Sequence, residues 1–156
     1  LPRMSQMEIK LEDASIRHLD RLYEIEKECF AKEAFTKPQI AYLLTEYNSI
    51  GLIAKVNREI AGFVIGWIDS ERKSLVGHIL TIDVASAYRR RRIAQKLLQE
   101  IEKLFKEKGV KMCRLEVRED NVAALNLYEK LGYKKADRLE RYYGDAHGLY
   151  LKKALT

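Results

Sequence analysis

The stretch Val76-Gly77-His78-Ile79-Leu80-Thr81-Ile82-Asp83-Val84, followed by Tyr88-Arg89-Arg90-Arg91-Arg92-Ile93-Ala94 and an amphipathic run to Phe105, decides the fold. Its first part carries apolar groups on both faces, since Leu80, Ile82 and Val84 alternate with Ile79, and so predicts a central, covered strand. Ile93, Leu97, Leu98, Ile101, Leu104 and Phe105 recur on one helical face, and Gly109 stands just beyond the end of that helix. A second strand, Met112 to Val117, comes next. Strand, helical crossover and strand form a βαβ unit, so the Val76 and Met112 strands are expected to lie parallel with a right-handed connection.

Upstream, runs at 50–56, 60–68 and 76–84 are separated by Asn57-Arg58-Glu59 and Asp69-Ser70-Glu71, which read as the turns of an antiparallel meander. Before them a short strand around Met7 to Leu11 precedes a helix capped by Asp13 or Ser15, with Ile16, Leu19, Leu22, Tyr23 and Phe30 at helical spacing. A shorter helix follows Thr36-Lys37-Pro38. Downstream, Asn121 caps a helix that buries Leu127 and Leu131 and ends at Gly132; strands near 133–140 and 147–152 close the chain as a hairpin. The fold class is α+β: a mixed, mostly antiparallel sheet with one parallel βαβ unit and helices on both faces.

A chain of 156 residues with a hydrophobic share of 47% fits one domain. Leu1-Pro2-Arg3 precedes Met4 and Met7 and reads as an appended remnant or a processed end, which leaves 4–156 as that domain. No run is apolar enough for a membrane span and no secretory signal is seen, so a cytoplasmic protein is expected. Cys29 and Cys113 lack metal-ligand or dithiol spacing; they read as reduced, buried thiols, and no metal site is expected.

The net charge of +6 and a pI near 9.2 imply an anionic companion. Four arginines, Arg89 to Arg92, stand where a strand hands over to a helix, whose first N–H groups lack partners. Cations at that positive end cost a few tenths of a kcal/mol each, up to about 1. An anion bound there would justify the cost, and the planar fork of arginine matches phosphate oxygens. Nucleic acid is disfavoured, because the chain shows no helix-turn-helix signal and no aromatic ladder. A nucleotide P-loop is excluded by the missing Gly-Lys-Ser/Thr.

Taken together, this strand, turn and helix resemble motif A of the GNAT superfamily, whose loop reads Arg/Gln-x-x-Gly-x-Gly/Ala where this chain has Arg89 to Ala94. Leu115-Glu116-Val117-Arg118-Glu119-Asp120-Asn121 and Leu127-Tyr128-Glu129-Lys130-Leu131-Gly132-Tyr133 look like the second signature of ribosomal-protein alanine acetyltransferases and of archaeal and eukaryotic N-terminal acetyltransferases. The resemblance implies the GNAT fold and acetyl-CoA as co-substrate. Backbone groups at Ile82, Asp83 and Val84 would hold its pantetheine, and Arg89, Arg90, Arg91, Arg92, Ile93 and Ala94 its pyrophosphate. Arg92 departs from the pattern, standing where the family has its first loop glycine, and Ser86 replaces a frequent proline. Arg92 can still present its N–H if it stands in right-handed helical geometry, and cofactor binding weakened or reshaped is expected.

Amine attack on a thioester needs a proton acceptor and an acid for the leaving thiolate. Glu116 alternates with Cys113, Leu115 and Val117 and is the first candidate for base; His78 is the second, acting directly or through water. Asn121 and Tyr128 lie seven apart on one helix and are assigned to the cofactor side, Tyr128 also as the acid. Cys113 lies on the apolar strand face, which speaks against an acyl-cysteine intermediate, and His18 and His147 read as surface residues. An α-amine with a pKa of about 7.7 to 8.0 is roughly a tenth neutral at pH 7, against under a thousandth for lysine at about 10.4, so a modest base suits α-amines. The Phe30-to-Phe35 turn and the Arg141-Tyr142-Tyr143-Gly144 hairpin resemble the family's peptide-clasping loops, giving Phe30, Glu33, Tyr142 and Tyr143 as substrate contacts. The expected partner is a protein or peptide N-terminus, ribosomal proteins included, with the chain a monomer or weak dimer. Two other readings stand beside this one: a GNAT acting on lysine or small-molecule amines, and a weakened module that only carries CoA.

Overall fold

The computed structural model describes residues 8–156, so the readings of Leu1 to Arg3 and of a strand starting at Met7 fall outside the described residues. The elements are β1 (Ile9–Asp13), α1 (Leu19–Cys29), α2 (Lys37–Thr45), β2 (Ser49–Val56), β3 (Glu59–Glu71), β4 (Ser74–Val84), α3 (Ile93–Glu107), β5 (Met112–Arg118), α4 (Val122–Lys130), β6 (Lys134–Leu139) and β7 (Gly148–Ala154). The strands form one mixed sheet in the order β1-β2-β3-β4-β5-β7-β6, flanked by the helices. β4 is its central strand and pairs parallel to β5 through Val76↔Met112, Gly77↔Cys113 and His78↔Arg114, as the βαβ pattern predicts. The closing β6–β7 pair is antiparallel, with β7 lying between β5 and β6.

The chain packs as two compact units: the described part of Leu1–Gly66 with Thr81–Ile101, and Trp67–Leu80 with Glu102–Thr156. In the first, Ser15 starts a 3-10 turn, Ile16–His18, that leads into α1, and the Ser15 N–H donates to His18 Nδ1 at 3.0 Å. His18 is therefore a half-buried capping partner, a role its exposed-looking context hides. Thr36 caps α2, exchanging hydrogen bonds with Gln39, so the helix already includes Lys37 and Pro38. Leu22, Ile25, Ile40 and Phe63 are completely buried here.

β2 and β3 are joined by Asn57 and Arg58, both at positive φ, in the manner of a two-residue hairpin turn. The next turn falls at Arg72 and Lys73, also at positive φ, and not at 69–71 as the sequence suggests. Asp69 and Glu71 stay in the strand because, two residues apart, they share a face, where Arg114 of β5 pairs with both at 3.5 and 3.1 Å. Polar residues that look like a turn are thus one half of an ion-pair cluster.

In the second unit Phe105 lies flat on Gly77; a Cβ at Gly77 would sit 2.5 Å from the ring. α3 ends at Gly109, whose φ of +86 lets Val110 N–H return to the Phe105 carbonyl at 3.0 Å. α4 departs from its sequence reading: Leu127 and Leu131 are only half-buried, and Tyr128 is its buried residue, because the helix turns that side chain inward onto Tyr133. Glu102 of α3 is buried and accepts from the Tyr133 hydroxyl at 2.7 Å and from Lys153 at 2.6 Å. Removing one partner of such a buried pair strands the other. Lys153→Ala is expected to lower unfolding stability by about 3 kcal/mol in denaturant titration; a loss below about 0.5 kcal/mol would place the pair with ordinary surface ion pairs.

Candidate active site

β4 presents two unlike faces. Gly77, Ile79, Thr81 and Asp83 are buried, whereas His78, Leu80, Ile82 and Val84 are only partly covered. Period-2 alternation thus puts the polar pair inward and leaves the apolar series half open, which corrects the reading of this strand as apolar on both covered faces. In the first unit the Asp83 side chain meets Glu26 of α1, itself 1% exposed. Thr81 Oγ1 lies 2.9 Å from Glu26 Oε1 and 2.6 Å from Asp83 Oδ1. Glu26 Oε2 accepts from the Phe35 N–H at 3.1 Å. Burial first, then the neighbouring Glu26 carboxyl, holds the Asp83 carboxyl well above the ordinary carboxylate range. Only the backbone of Asp83 is left to face a ligand.

Beyond β4, Ala85 N–H bonds the Ala61 carbonyl and a 3-10 turn, Ser86–Tyr88, follows. Its Ser86 N–H donates to Glu28, and Tyr88 donates to Glu59 at 2.5 Å. Arg89 folds back, its Nε donating to the Val84 carbonyl at 3.3 Å. Cys29 Sγ donates to the same carbonyl at 3.3 Å, and burial pushes its thiol up to about 11. Arg91 lies over the Tyr88 ring, 5.6 Å from its centroid. Arg90 and Arg92 are exposed and adopt φ of 63° and 61°. Arg92 therefore does not meet the right-handed condition and takes the left-handed conformation that a glycine would favour, where the chain reverses into α3. The Arg92 carbonyl accepts the first helical bond, from Lys96 N–H, so the Ile93 and Ala94 N–H groups have no partner within the helix. Ile93 gives only its backbone, since its side chain is buried, and Ala94 is half-buried. Guanidinium groups and first-turn N–H groups together suit a phosphate-rich anion.

In the second unit His78 Nε2 and Glu116 Oε1 are 2.8 Å apart, each side chain about one-fifth exposed (18%). The parallel register brings them together: His78 stands beside Arg114, and Glu116 is the next residue on that face of β5. An ionised Glu116 only accepts, so His78 donates and retains Nδ1 as a second proton site. Tyr150 lies directly across from Glu116 on β7. Tyr142 is pushed up by burial and then by the charge of Glu116. Its ring meets Tyr143 edge-on at 4.9 Å, both rings packed over Gly148, where an added Cβ would stand 3.1 Å from Tyr142. Arg118 pins this hairpin tip through Asp145 at 3.1 Å, and His147, half-buried, accepts from the Arg141 N–H at 3.0 Å.

Asn121 caps α4 as read, its Oδ1 accepting from Ala124 N–H at 3.2 Å. As a cap it lies outside helical geometry, so its seven-residue relation to Tyr128 is looser than on a regular helix. Tyr128 is 6% exposed and packs edge-on to Tyr133, 5.7 Å between centroids. Phe30 and Glu33 are half-buried in the α1–α2 connection, and the Phe30 N–H closes α1 on Glu26 O at 2.9 Å. Burial pushes the Cys113 thiol up to about 12, which keeps it protonated. Sequence reasoning missed Glu26, Thr81 and Tyr150. The signals were present: Glu26 falls on the Leu19, Leu22 stripe, and Thr81 and Asp83 share one strand face.

Sheet, crossover helix and basic helix start are those of an N-acetyltransferase. Residues 19–133 match the Acetyltransferase (GNAT) family, and the chain belongs to it. It is 38% identical over 120 residues to an N-alpha-acetyltransferase of Sulfurisphaera tokodaii, spanning 71% of this chain and 72% of that one. Among solved structures it is similar to a chain of the NatC complex bound to Gag peptide and CoA, with TM-score 0.87, 26% identity and coverage of 96% and 100%. The ribosomal-protein-S18-alanine N-acetyltransferase of Escherichia coli shares the fold at TM-score 0.86 and 22% identity, covering 96% and 95%. The chain is an acetyl-CoA-dependent N-acetyltransferase.

Two variants test the first-unit geometry. Asp83 has its native carboxyl raised above the unfolded value near 3.8, so the stability it contributes is complete below that pH and is lost as pH climbs toward the native value. Asp83→Asn should therefore gain melting temperature over the parent by more at pH 8 than at pH 5, and an equal gap at both would contradict the raised carboxyl. Arg92→Gly relieves a left-handed arginine and should raise stability by roughly 0.5–1 kcal/mol and tighten CoA binding. Weaker binding would make the Arg92 side chain itself a phosphate ligand.

Proposed function

We propose that this enzyme transfers acetyl from acetyl-CoA to the α-amino group of protein N-termini, by direct attack in a ternary complex. The His78–Glu116 pair at 2.8 Å, with the Tyr142–Tyr143 tip carried by the same unit, is the observation that carries this reading. The identity to an N-alpha-acetyltransferase supports it. When bound, acetyl-CoA supplies an activated acetyl thioester. The guanidinium groups of Arg89 to Arg91 and the N–H groups of Arg92, Ile93 and Ala94 would hold its pyrophosphate, and the Ile82 to Val84 backbone its pantetheine, with Asn121 assigned to the same ligand.

Glu116 accepts the proton of the attacking amine, directly or through water, and His78 Nε2 holds its carboxylate in place. The Tyr128 hydroxyl would hold the proton for the leaving thiolate, so that the proton Glu116 takes up from the amine is matched by the one Tyr128 gives. Phe30, Glu33, Tyr142 and Tyr143 position the acceptor peptide. Ribosomal proteins are candidate acceptors. The protein acts in the cytoplasm as a monomer or weak dimer, with 4–156 as one catalytic domain. Among the described residues no helix is long and apolar enough to cross a membrane.

Incubation with acetyl-CoA and a library of peptides with free N-termini should release CoA thiol, and the same peptides blocked at the α-amine but carrying lysine should not. Tyr128→Phe and Glu116→Gln should each lower kcat by about 10²-fold with smaller effects on peptide KM. Unchanged turnover would remove the residue from its role, and acetylation confined to the lysine peptides would replace the α-amine by a side-chain amine.

A further inference from the structure

In the first unit, Thr81 Oγ1 makes short contacts to two carboxyls, Glu26 Oε1 at 2.9 Å and Asp83 Oδ1 at 2.6 Å. A hydroxyl has one proton, so it donates to one oxygen only and accepts from the other. The second contact therefore requires a protonated carboxyl. All three residues are more than nine-tenths buried, at 1%, 6% and 2% exposure for Glu26, Thr81 and Asp83. Glu26 also accepts the Phe35 N–H on its other oxygen, at 3.1 Å, which makes it the acceptor end. The chain runs from the Asp83 acid to the Thr81 hydroxyl, on to the Glu26 carboxylate, and ends on the Phe35 N–H.

We infer that Glu26 is a positioning residue for acceptor recognition: its buried carboxylate, oriented by Thr81 and Asp83, fixes the segment from Phe30 to Phe35 through the Phe35 N–H. The inference rests on the reading above that this segment receives the peptide. Both ends of the segment are tied to the same residue, since Phe30 N–H bonds the Glu26 carbonyl and Phe35 N–H its side chain. Phe30 and Glu33 are thus presented from a loop closed on a single buried glutamate. The elevated Asp83 carboxyl agrees with a proton resident there. Of the groups beside the cluster, Cys29 of α1 is a neutral thiol, and Arg89 lies beyond it, 3.7 Å from Cys29 Sγ. As pH rises and Asp83 gives up its proton, the Thr81 hydroxyl faces two carboxylates, one loses its hydrogen bond, and the hold on Phe35 loosens.

The test is steady-state kinetics of the full chain with acetyl-CoA and an N-terminal peptide, joined to hydrogen exchange at the Phe35 amide. Glu26→Gln weakens a charge-assisted hydrogen bond; it should raise peptide KM about tenfold, shift acetyl-CoA KM by less than about twofold, and speed Phe35 exchange. Thr81→Val cuts the chain and should shift peptide KM in the same direction. In the parent peptide KM should rise as pH climbs toward the raised value of the Asp83 carboxyl, and Asp83→Asn, whose amide donates to Thr81 at any pH, should flatten that rise. Phe35 exchange as slow in Glu26→Gln as in the parent, or equal changes in both KM values, would overturn the inference. A parent protein that acetylates no peptide would instead overturn the proposed function and the acceptor role of the segment with it, and Phe35 exchange would still show whether Glu26 holds the loop.

Discussion

The two-residue period of β4 constrains the rest of this structure. Once Ile79 is buried, Thr81 and Asp83 must be buried too, and Leu80, Ile82 and Val84 must turn to the half-covered side. Two consequences follow. The strand needs a polar partner from α1, which Glu26 supplies, and it offers a ligand an apolar face and a backbone in place of charged side chains. The same alternation puts His78 on the open side, where the parallel partner strand carries Glu116.

Charge is distributed to match the chemistry. The strand-to-helix turn concentrates cations where helix geometry already leaves N–H donors, and it accepts left-handed Arg90 and Arg92 to do so. The His78–Glu116 pair in the second unit is half-covered, each side chain 18% exposed, and is joined at 2.8 Å. The two thiols are held neutral by burial, at about 11 and about 12, which makes neither a ready nucleophile.

Much of this was legible in the sequence where local rules and packing agree. The βαβ unit, the α3 stripe, the Thr36, Asn121 and Gly132 boundaries and the alternation around Glu116 all follow from periodicity and caps. What was not legible depends on partners far along the chain. Asp69 to Glu71 reads as a turn until Arg114 stands opposite, and the burial of Tyr128 in place of Leu127 and Leu131 is set by Tyr133. The Thr81–Asp83 face reads as an interrupted apolar strand until Glu26 arrives from 55 residues away. Arg92 reads as a departure from glycine, yet the backbone keeps the glycine conformation, because the turn into α3 is dictated by the strand end and the first helical bond and not by the side chain.

The central claim is that the start of α3 binds the diphosphate of acetyl-CoA, and backbone amide spectroscopy addresses it most directly. Titration of labelled protein with CoA should move the amide resonances of Arg89 to Ala94, whereas pantetheine, which lacks the diphosphate, should leave them in place. Shifts confined to other segments, or equal shifts with both compounds, would contradict the account.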